Sequence, residues 1–451
     1  MALARKRVGT FTAVGPAAIV RPTSPSEIAQ VLTDAKRYPS PVRPIGSGSS
    51  TTRCTTANGG TVIDLSDMNR VLKIDADTVT VQPGISLAEL AEILAEQGKE
   101  LVGGFDLANR TVGGAVFGAG LEATIAGDAG QFAAHAVQMK IVSPTGRKFV
   151  VNEKTKSLLA ALRLSYGLLG IAYEITLRIR PIQGFVVQTA HTGFKEFAKL
   201  GPRLAAAGSG VKLYLLPFRD HVYMELRRPA GQTAAPGTKL AWRLKDWAVY
   251  SALPGAARSI AFALPVRQLR YPLIDSLSEA THVLFGNPLV RNGSNAVEQS
   301  GRFRSLGSAS RYTYCTWAFP AAEFGAVALG YKLFCKEHYA RTGFRCDMPT
   351  IGFRLNQDKS SLLSPSFDGP MITLSALSTQ TNGWDDFVLD FAEFAAEHRG
   401  VPFFNQTRNA TAEVVSGRFE RRLSFFAKVR REMDPRDRML NPYFATYFAA
   451  S

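Results

Sequence analysis

The stretch Pro41-Val42-Arg43-Pro44-Ile45-Gly46-Ser47-Gly48-Ser49-Ser50-Thr51-Thr52 decides the fold. Pro41 to Ile45 is a short extended run that empties into seven small residues, whose backbone N–H groups can converge on one point. Such a nest suits a pyrophosphate. Spacing excludes two other phosphate loops. A GxGxxG dinucleotide loop needs a third glycine, a helix directly after it and an acidic residue about 20 positions on. Here Arg53 to Gly60 leads instead into another strand. No GxxxxGK[ST] occurs in the chain.

Outward from that loop, helix and strand signals alternate. Ser24-Pro25-Ser26-Glu27 is a capping box with proline at the first helical position, and Ile28, Val31, Leu32 and Ala35 follow at helical spacing. This predicts a helix over 25–37. Strands are expected at 62–65, 71–74 and 78–81. Pro83-Gly84 and a second box, Ser86-Leu87-Ala88-Glu89, then open a helix that should stop at Gly98. Past a glycine-rich stretch from Gly103 to Gly130, strands are expected at 137–142, 148–151 and 173–179. Further on, 211–216 and 222–226 read as strands, and 323–340 and 384–399 as helices.

Composition bounds the class. With 451 residues, 46% apolar and 20% charged, the chain can bury a large core and is neither disordered nor membrane-spanning in character. Cys54, Cys315, Cys335 and Cys346 show no CxxC spacing, so they read as reduced thiols, with no metal site expected. The apolar stretch near the N-terminus is broken by Gly15, Pro16 and Arg21, so a chain that is not exported is expected, cytoplasmic or peripheral to a membrane. The net charge is +16. Residues 201–311 hold 15 Lys and Arg against 6 Asp and Glu, whereas 1–182 hold 20 against 15. The surplus therefore belongs to the middle of the chain. Within it, 240–285 is basic and amphipathic, which fits either a solvated helix face or contact with a membrane surface. Nucleic acid is not expected, since no binding motif accompanies the charge.

Six motifs in order give a resemblance. Arg21-Pro22 before a capped helix, the Arg43 to Ser50 run, Val62-Ile63-Asp64-Leu65, Val81-Gln82-Pro83-Gly84, Thr111-Val112-Gly113-Gly114-Ala115 and Gly167-Leu168-Leu169-Gly170-Ile171 resemble the FAD-binding domain of the vanillyl-alcohol oxidase and p-cresol methylhydroxylase superfamily. The resemblance covers 20–182. The tail Asp434 to Tyr443 is similar to the family's C-terminal return to the flavin. It implies an α+β chain: a PCMH-type FAD-binding domain of two α/β subdomains over 1–182, an α+β substrate cap over 183–405, and a return segment over 406–451.

The resemblance also implies site residues. Arg43, Gly46, Ser47, Gly48, Ser49 and Ser50, with Pro83 and Gly84, would cradle pyrophosphate and ribitol. Thr111, Val112, Gly113, Gly114 and Gly118 would lie along the flavin, Gly170 and Ile171 at the adenine end, and Asn441 at the isoalloxazine edge. Any one of these glycines could instead only make a turn. Relatives with covalent flavin carry a histidine where Ser49 stands, which implies dissociable FAD, with His338 and His398 as the other conceivable attachment points.

Within the superfamily the cap is similar to aldonolactone and alditol oxidases and, more loosely, to decaprenylphosphoryl-ribose oxidase, through Tyr314 to Pro320, Pro349 to Arg354 and Leu363 to Ser366. Arg354 keeps the family's arginine, but Gly352 replaces its glutamate, and Pro402-Phe403-Phe404-Asn405-Gln406 stands where a lysine motif is expected. Asn405 and Gln406 can orient a hydroxyl but cannot take its proton at neutral pH. Glu122 and Tyr314 remain as candidate proton acceptors, and Arg354 as a cation near flavin or substrate. Phe403, Phe404, Trp317 and Phe353 suggest an apolar pocket for a small-molecule substrate, apolar or anionic. The expected activity is hydride removal from a C–H bearing a hydroxyl. The alternatives are a dehydrogenase on a lipid-linked substrate and a flavin-fold protein without redox chemistry.

Overall fold

The computed structural model describes residues 15–104, 109–121, 128, 130–206, 210–230, 238–285, 289–301 and 312–448. Three sheets organise them. The first is parallel, with β1 (Ala18–Val20) and β2 (Val42–Ile45) on either side of β3 (Thr61–Asp64). Parallel neighbours need a crossover, and between β1 and β2 it is the helix Pro25–Thr33. Ser24 caps that helix as its capping box requires, accepting from the Glu27 amide at 3.2 Å. The helix ends four residues earlier than its apolar spacing predicts. Arg438, from the far end of the chain, donates to the buried carbonyls of Val31 and Leu32 in the last turn, placing a cation at the helix C-terminus.

The second sheet is antiparallel. It contains β4 (Val71–Ile74), β5 (Thr78–Val81), β6 (Lys99–Leu101), β7 (Ala136–Val142), β8 (Lys148–Asn152) and β9 (Ile171–Pro181). β9 is the spine, pairing with β5, β6 and β7. Thr111 caps a short helix, Val112–Phe117, which the glycine content of that stretch had hidden. Ile28, Val31, Leu32, Val42, Ile63, Val142, Ile171 and Met439 form one core between the first two sheets. Met439 carries the C-terminal tail into it.

The third sheet has eight strands: β10 (Gly184–Thr192), β11 (Gly210–Leu216), β12 (His221–Pro229), β13 (Asn292–Ser294), β14 (Thr313–Pro320), β15 (Thr350–Leu355), β16 (Met371–Ser378) and β17 (Val401–Pro402). Their order is β13-β10-β12-β11-β15-β16-β14-β17, antiparallel throughout. The helices Phe194–Ala206, Phe324–Thr342 and Trp384–Glu397 bury aromatic residues against it. Trp317, Phe353, Phe403 and Phe404, expected in a substrate pocket, are core side chains instead. Inserted between β12 and β13 are the helices Lys239–Trp247, Leu253–Ala263 and Arg267–Phe285. No described helix is long and apolar enough to cross a membrane. The helix-and-sheet mixture agrees with the α+β expectation.

Candidate cofactor cleft

A cleft opens at the carboxyl end of β2, where the chain leaves the parallel sheet. Strand ends of this kind commonly carry ligands. Of the expected cofactor residues, Gly46, Ser47, Gly48, Ser49, Ser50, Pro83, Thr111, Gly113, Gly114, Gly118, Gly170 and Ile171 line it. They come from four separate segments.

The local geometry explains the small residues. Gly48 has φ +70, which L side chains rarely adopt, and it turns the loop into a concave nest. The amides of Ser47 to Ser50 donate to no described acceptor in the protein. At Gly46 a Cβ would lie 2.3 Å from Thr111 Oγ1, so the loop and the Thr111 cap can meet only through a glycine. Thr51 N donates to Asn405 O at 3.0 Å, and Thr52 Oγ1 to Phe404 O at 2.6 Å, tying the nest to the segment that follows β17. Tyr314 on β14 donates to Ser49 O at 2.9 Å.

Four expected cofactor residues do not line the cleft. Arg43 is buried, and its guanidinium donates to the carbonyls of Cys54 (3.1 Å), Met439 (2.7 Å) and Tyr166 (2.5 Å). Burial lowers its pKa to about 10, with Cys54 and Asp434 opposing. It braces three chain segments behind the pocket. Asn441 is likewise occupied, donating to Arg53 O, Cys54 O and Thr56 O and accepting from Phe444 N. Val112 is core, and Gly84 donates to Met68 O at 2.7 Å in a turn.

The expected catalytic residues divide. Asn405 lines the cleft; its Nδ2 donates to Ala119 O at 2.9 Å, and its buried Oδ1 accepts from no described donor. Gln406 repeats the pattern beside it, with Nε2 on Ala119 O at 3.4 Å and Oε1 without a partner among the described residues. Arg354, on β15, is not in the lining: it donates to Leu204 O at 3.0 Å and to Asn356 Oδ1 at 2.5 Å, and burial lowers its pKa. Glu122 lies outside the described residues. His338 pairs with Asp390 at 2.6 Å, and His398 ring Nδ1 meets Phe394 O at 2.9 Å. Neither lines the cleft.

Sequence reasoning missed Arg110 and Tyr166. Arg110 lines the cleft and donates to Gly114 O (2.8 Å), Gly118 O (2.5 Å) and Ala119 O (3.0 Å), holding the glycine-rich turn in shape. Its position directly before Thr111 was the available signal. Tyr166 has φ +53 and packs edge-on against Phe404 at 5.3 Å, and burial raises its phenol pKa, so it is a hydrogen-bond donor rather than a base.

Residues 16–152 match the family described as FAD binding domain, and residues 270–447 match D-arabinono-1,4-lactone oxidase. The first match agrees with the resemblance: the chain carries an FAD-binding domain. Among curated proteins similar to this chain are L-gulono-1,4-lactone dehydrogenase of Mycobacterium tuberculosis, 33% identical over 37% of this chain and 38% of the relative, and mitochondrial L-galactono-1,4-lactone dehydrogenase of Arabidopsis thaliana, 25% identical over 48% of this chain and 35% of the relative. The chain thus matches under two fifths of either relative's length. Cholesterol oxidase from B. sterolicum shares the fold, with a TM-score of 0.75 at 13% identity over 95% of this chain and 94% of that one. FAD is the cofactor that the matched domain implies, and the cleft fits it: a nest of amides that donate to no described acceptor, backbone-lined walls, and a carbonyl oxygen on Asn405 with no partner among the described residues.

Proposed function

We propose that the protein is an FAD-dependent oxidoreductase that removes a hydride from a carbon bearing a hydroxyl, on an aldonolactone or a closely related sugar derivative. The observation that carries the reading is Asn405: a side chain in the wall of the cleft, fixed through Nδ2, whose Oδ1 meets among the described residues no donor of the kind a buried carbonyl needs. When bound, FAD supplies the hydride acceptor. Ser47 to Ser50 would hold the diphosphate through backbone N–H groups, with Gly170 and Ile171 at the adenine end and Gly113, Gly114 and Gly118 beside the ring system. Asn405 would accept from the substrate hydroxyl and so orient its C–H, while Arg110 keeps the turn behind it rigid. Among the described cleft-lining residues no carboxylate or imidazole stands ready to take the hydroxyl proton. Glu122 remains the proposed acceptor.

FAD is proposed to be dissociable, because a serine hydroxyl at position 49 lacks the nucleophilicity of an imidazole at neutral pH. Acid precipitation tests this, with yellow supernatant expected and yellow pellet contradicting it. The dehydrogenase names of the relatives favour a second reading of the acceptor, in which a quinone or protein rather than oxygen reoxidises the cofactor. Stoichiometric peroxide on aerobic turnover would decide for oxygen. Four unpaired cysteines support a reducing, cytoplasmic placement.

A further inference from the structure

Gln131 is fully buried, and both halves of its carboxamide are spent on one residue. Its Oε1 accepts from Gly120 N at 3.0 Å, and its Nε2 donates to Gly120 O at 3.3 Å. The first of these bonds reaches the cleft. Gly120 N and Ala119 O belong to one planar peptide group, in which a trans N–H and C=O point in opposite directions. On the far side of that plane, Ala119 O accepts from Asn405 Nδ2 at 2.9 Å, from Gln406 Nε2 at 3.4 Å and from Arg110 at 3.0 Å. Gln131 and Asn405 therefore grip opposite ends of a single rigid unit.

That unit has little room to turn. A Cβ on Gly120 would lie 2.7 Å from Arg110 Nη1, so the peptide rests directly against the guanidinium. Gly118, two residues earlier, lines the cleft together with Asn405. A hydrogen-bonded chain thus runs from Gln131 Oε1 through Gly120 N–H and Ala119 C=O to Asn405 Nδ2, each bond polarising the next. It ends at Asn405 Oδ1, the buried oxygen that accepts from no described donor. The Asn405 carboxamide is planar too, so holding Nδ2 sets where Oδ1 points.

We propose that Gln131 is a positioning residue for the cleft: by clamping the Ala119–Gly120 peptide it sets the direction in which Asn405 Oδ1 faces the substrate hydroxyl. That this oxygen meets a hydroxyl rests on the reaction proposed above; the clamp does not. Gln131 itself does not line the cleft, so its effect passes through Asn405.

The clamp is tested first without substrate. In FAD-loaded protein carrying isotope-labelled asparagine, the Asn405 carboxamide resonance, identified by its absence from Asn405→Ala, should move in Gln131→Leu. Carboxamides outside the cleft should stay in place, and FAD content and far-ultraviolet circular dichroism should remain those of the parent. Turnover is read next, with L-gulono- and D-arabinono-1,4-lactone as probes. Gln131→Leu should lower kcat/KM about fivefold when Asn405 is present and less than about twofold in the Asn405→Ala background, the non-additivity of a residue that acts through another. Gln131→Glu keeps an acceptor for Gly120 N–H but loses the donor to Gly120 O. It should lose less than the leucine variant, again only when Asn405 is present, and it decides the matter if the leucine variant does not fold. An Asn405 resonance that stays in place in both variants, or equal losses of kcat/KM with and without Asn405, overturns the proposal. A parent that turns over neither lactone counts against the proposed reaction, and the resonance alone then decides the clamp.

Discussion

Among the described residues that line the cofactor cleft the one guanidinium, that of Arg110, stands among glycines, hydroxyls and backbone amides. Beneath the helix Lys239–Trp247, by contrast, charge is dense and internal. Arg227 pairs with Glu225 at 2.7 Å and with Glu298 at 2.6 Å, Lys245 joins Glu225, and Lys212 donates to Tyr250 at 2.7 Å, all of these charged groups buried. Burial works to raise the Glu225 pKa, but Lys245, Arg227 and Lys212 outweigh it and hold the carboxylate below its ordinary range. One region leaves its polar groups for a ligand to satisfy. The other satisfies its own. The difference locates the protein's surplus charge away from the diphosphate site and predicts that the two regions fail in different ways.

The largest effect belongs to the internal network. Arg227→Met removes the buried cation that Glu225 and Glu298 share, leaving Lys245 on Glu225, and should cost about 3–5 kcal/mol in denaturant unfolding. A loss below about 1 kcal/mol would mean that the network is not a closed charge balance. Gly46→Val should act on the other region: the new side chain collides with Thr111 and fills the nest, so FAD affinity should fall at least about 100-fold, about 2.7 kcal/mol, in equilibrium titration of the apoprotein. Its unfolding free energy without FAD should change less than that of Arg227→Met.

Two histidines extend the comparison to pH. Burial, with nearby Arg178, Arg180 and Arg163, lowers His135 in the FAD-binding half to about 4. Burial, with Lys245 and Lys212, lowers His282 beside the ion network to about 3, against a partial opposing pull from Glu225. Both rings stay neutral in the folded protein while the unfolded chain takes up protons below about 6.5. Stability is therefore intact at neutral pH and lost as pH falls from about 6.5 toward those values, by about 2 kcal/mol per ring at pH 5. His135→Asn and His282→Asn should each flatten part of the acid limb in denaturant unfolding followed against pH. The smallest effect is at the cleft wall: Asn405→Ala should retain FAD and lower kcat/KM by about tenfold, about 1.4 kcal/mol, in steady-state assays.

Local chemistry was readable in advance. Both capping boxes and the strands on either side of the 46–52 loop depend on neighbours a few residues away, and they form close to where spacing placed them. What was not readable depends on distant partners. Arg43 lies on β2 just ahead of the nest, yet its guanidinium is committed to carbonyls as remote as Met439, and Asn441 is committed to Arg53, Cys54 and Thr56. Trp317, Phe403 and Phe404 are apolar in either reading, and only the packing of the sheets and C-terminal helices shows that they are core. Arg110 acquires its role from carbonyls of a turn whose path the sequence leaves open.

The most direct measurement is anaerobic titration of the FAD-loaded protein with L-gulono-, L-galactono- and D-arabinono-1,4-lactone, followed through the visible flavin band. Bleaching by at least one of the three, with loss of bleaching rate in Asn405→Ala at unchanged FAD content, is the predicted result. A protein that binds FAD yet is bleached by none of them, or one that refuses added FAD altogether, would contradict the account.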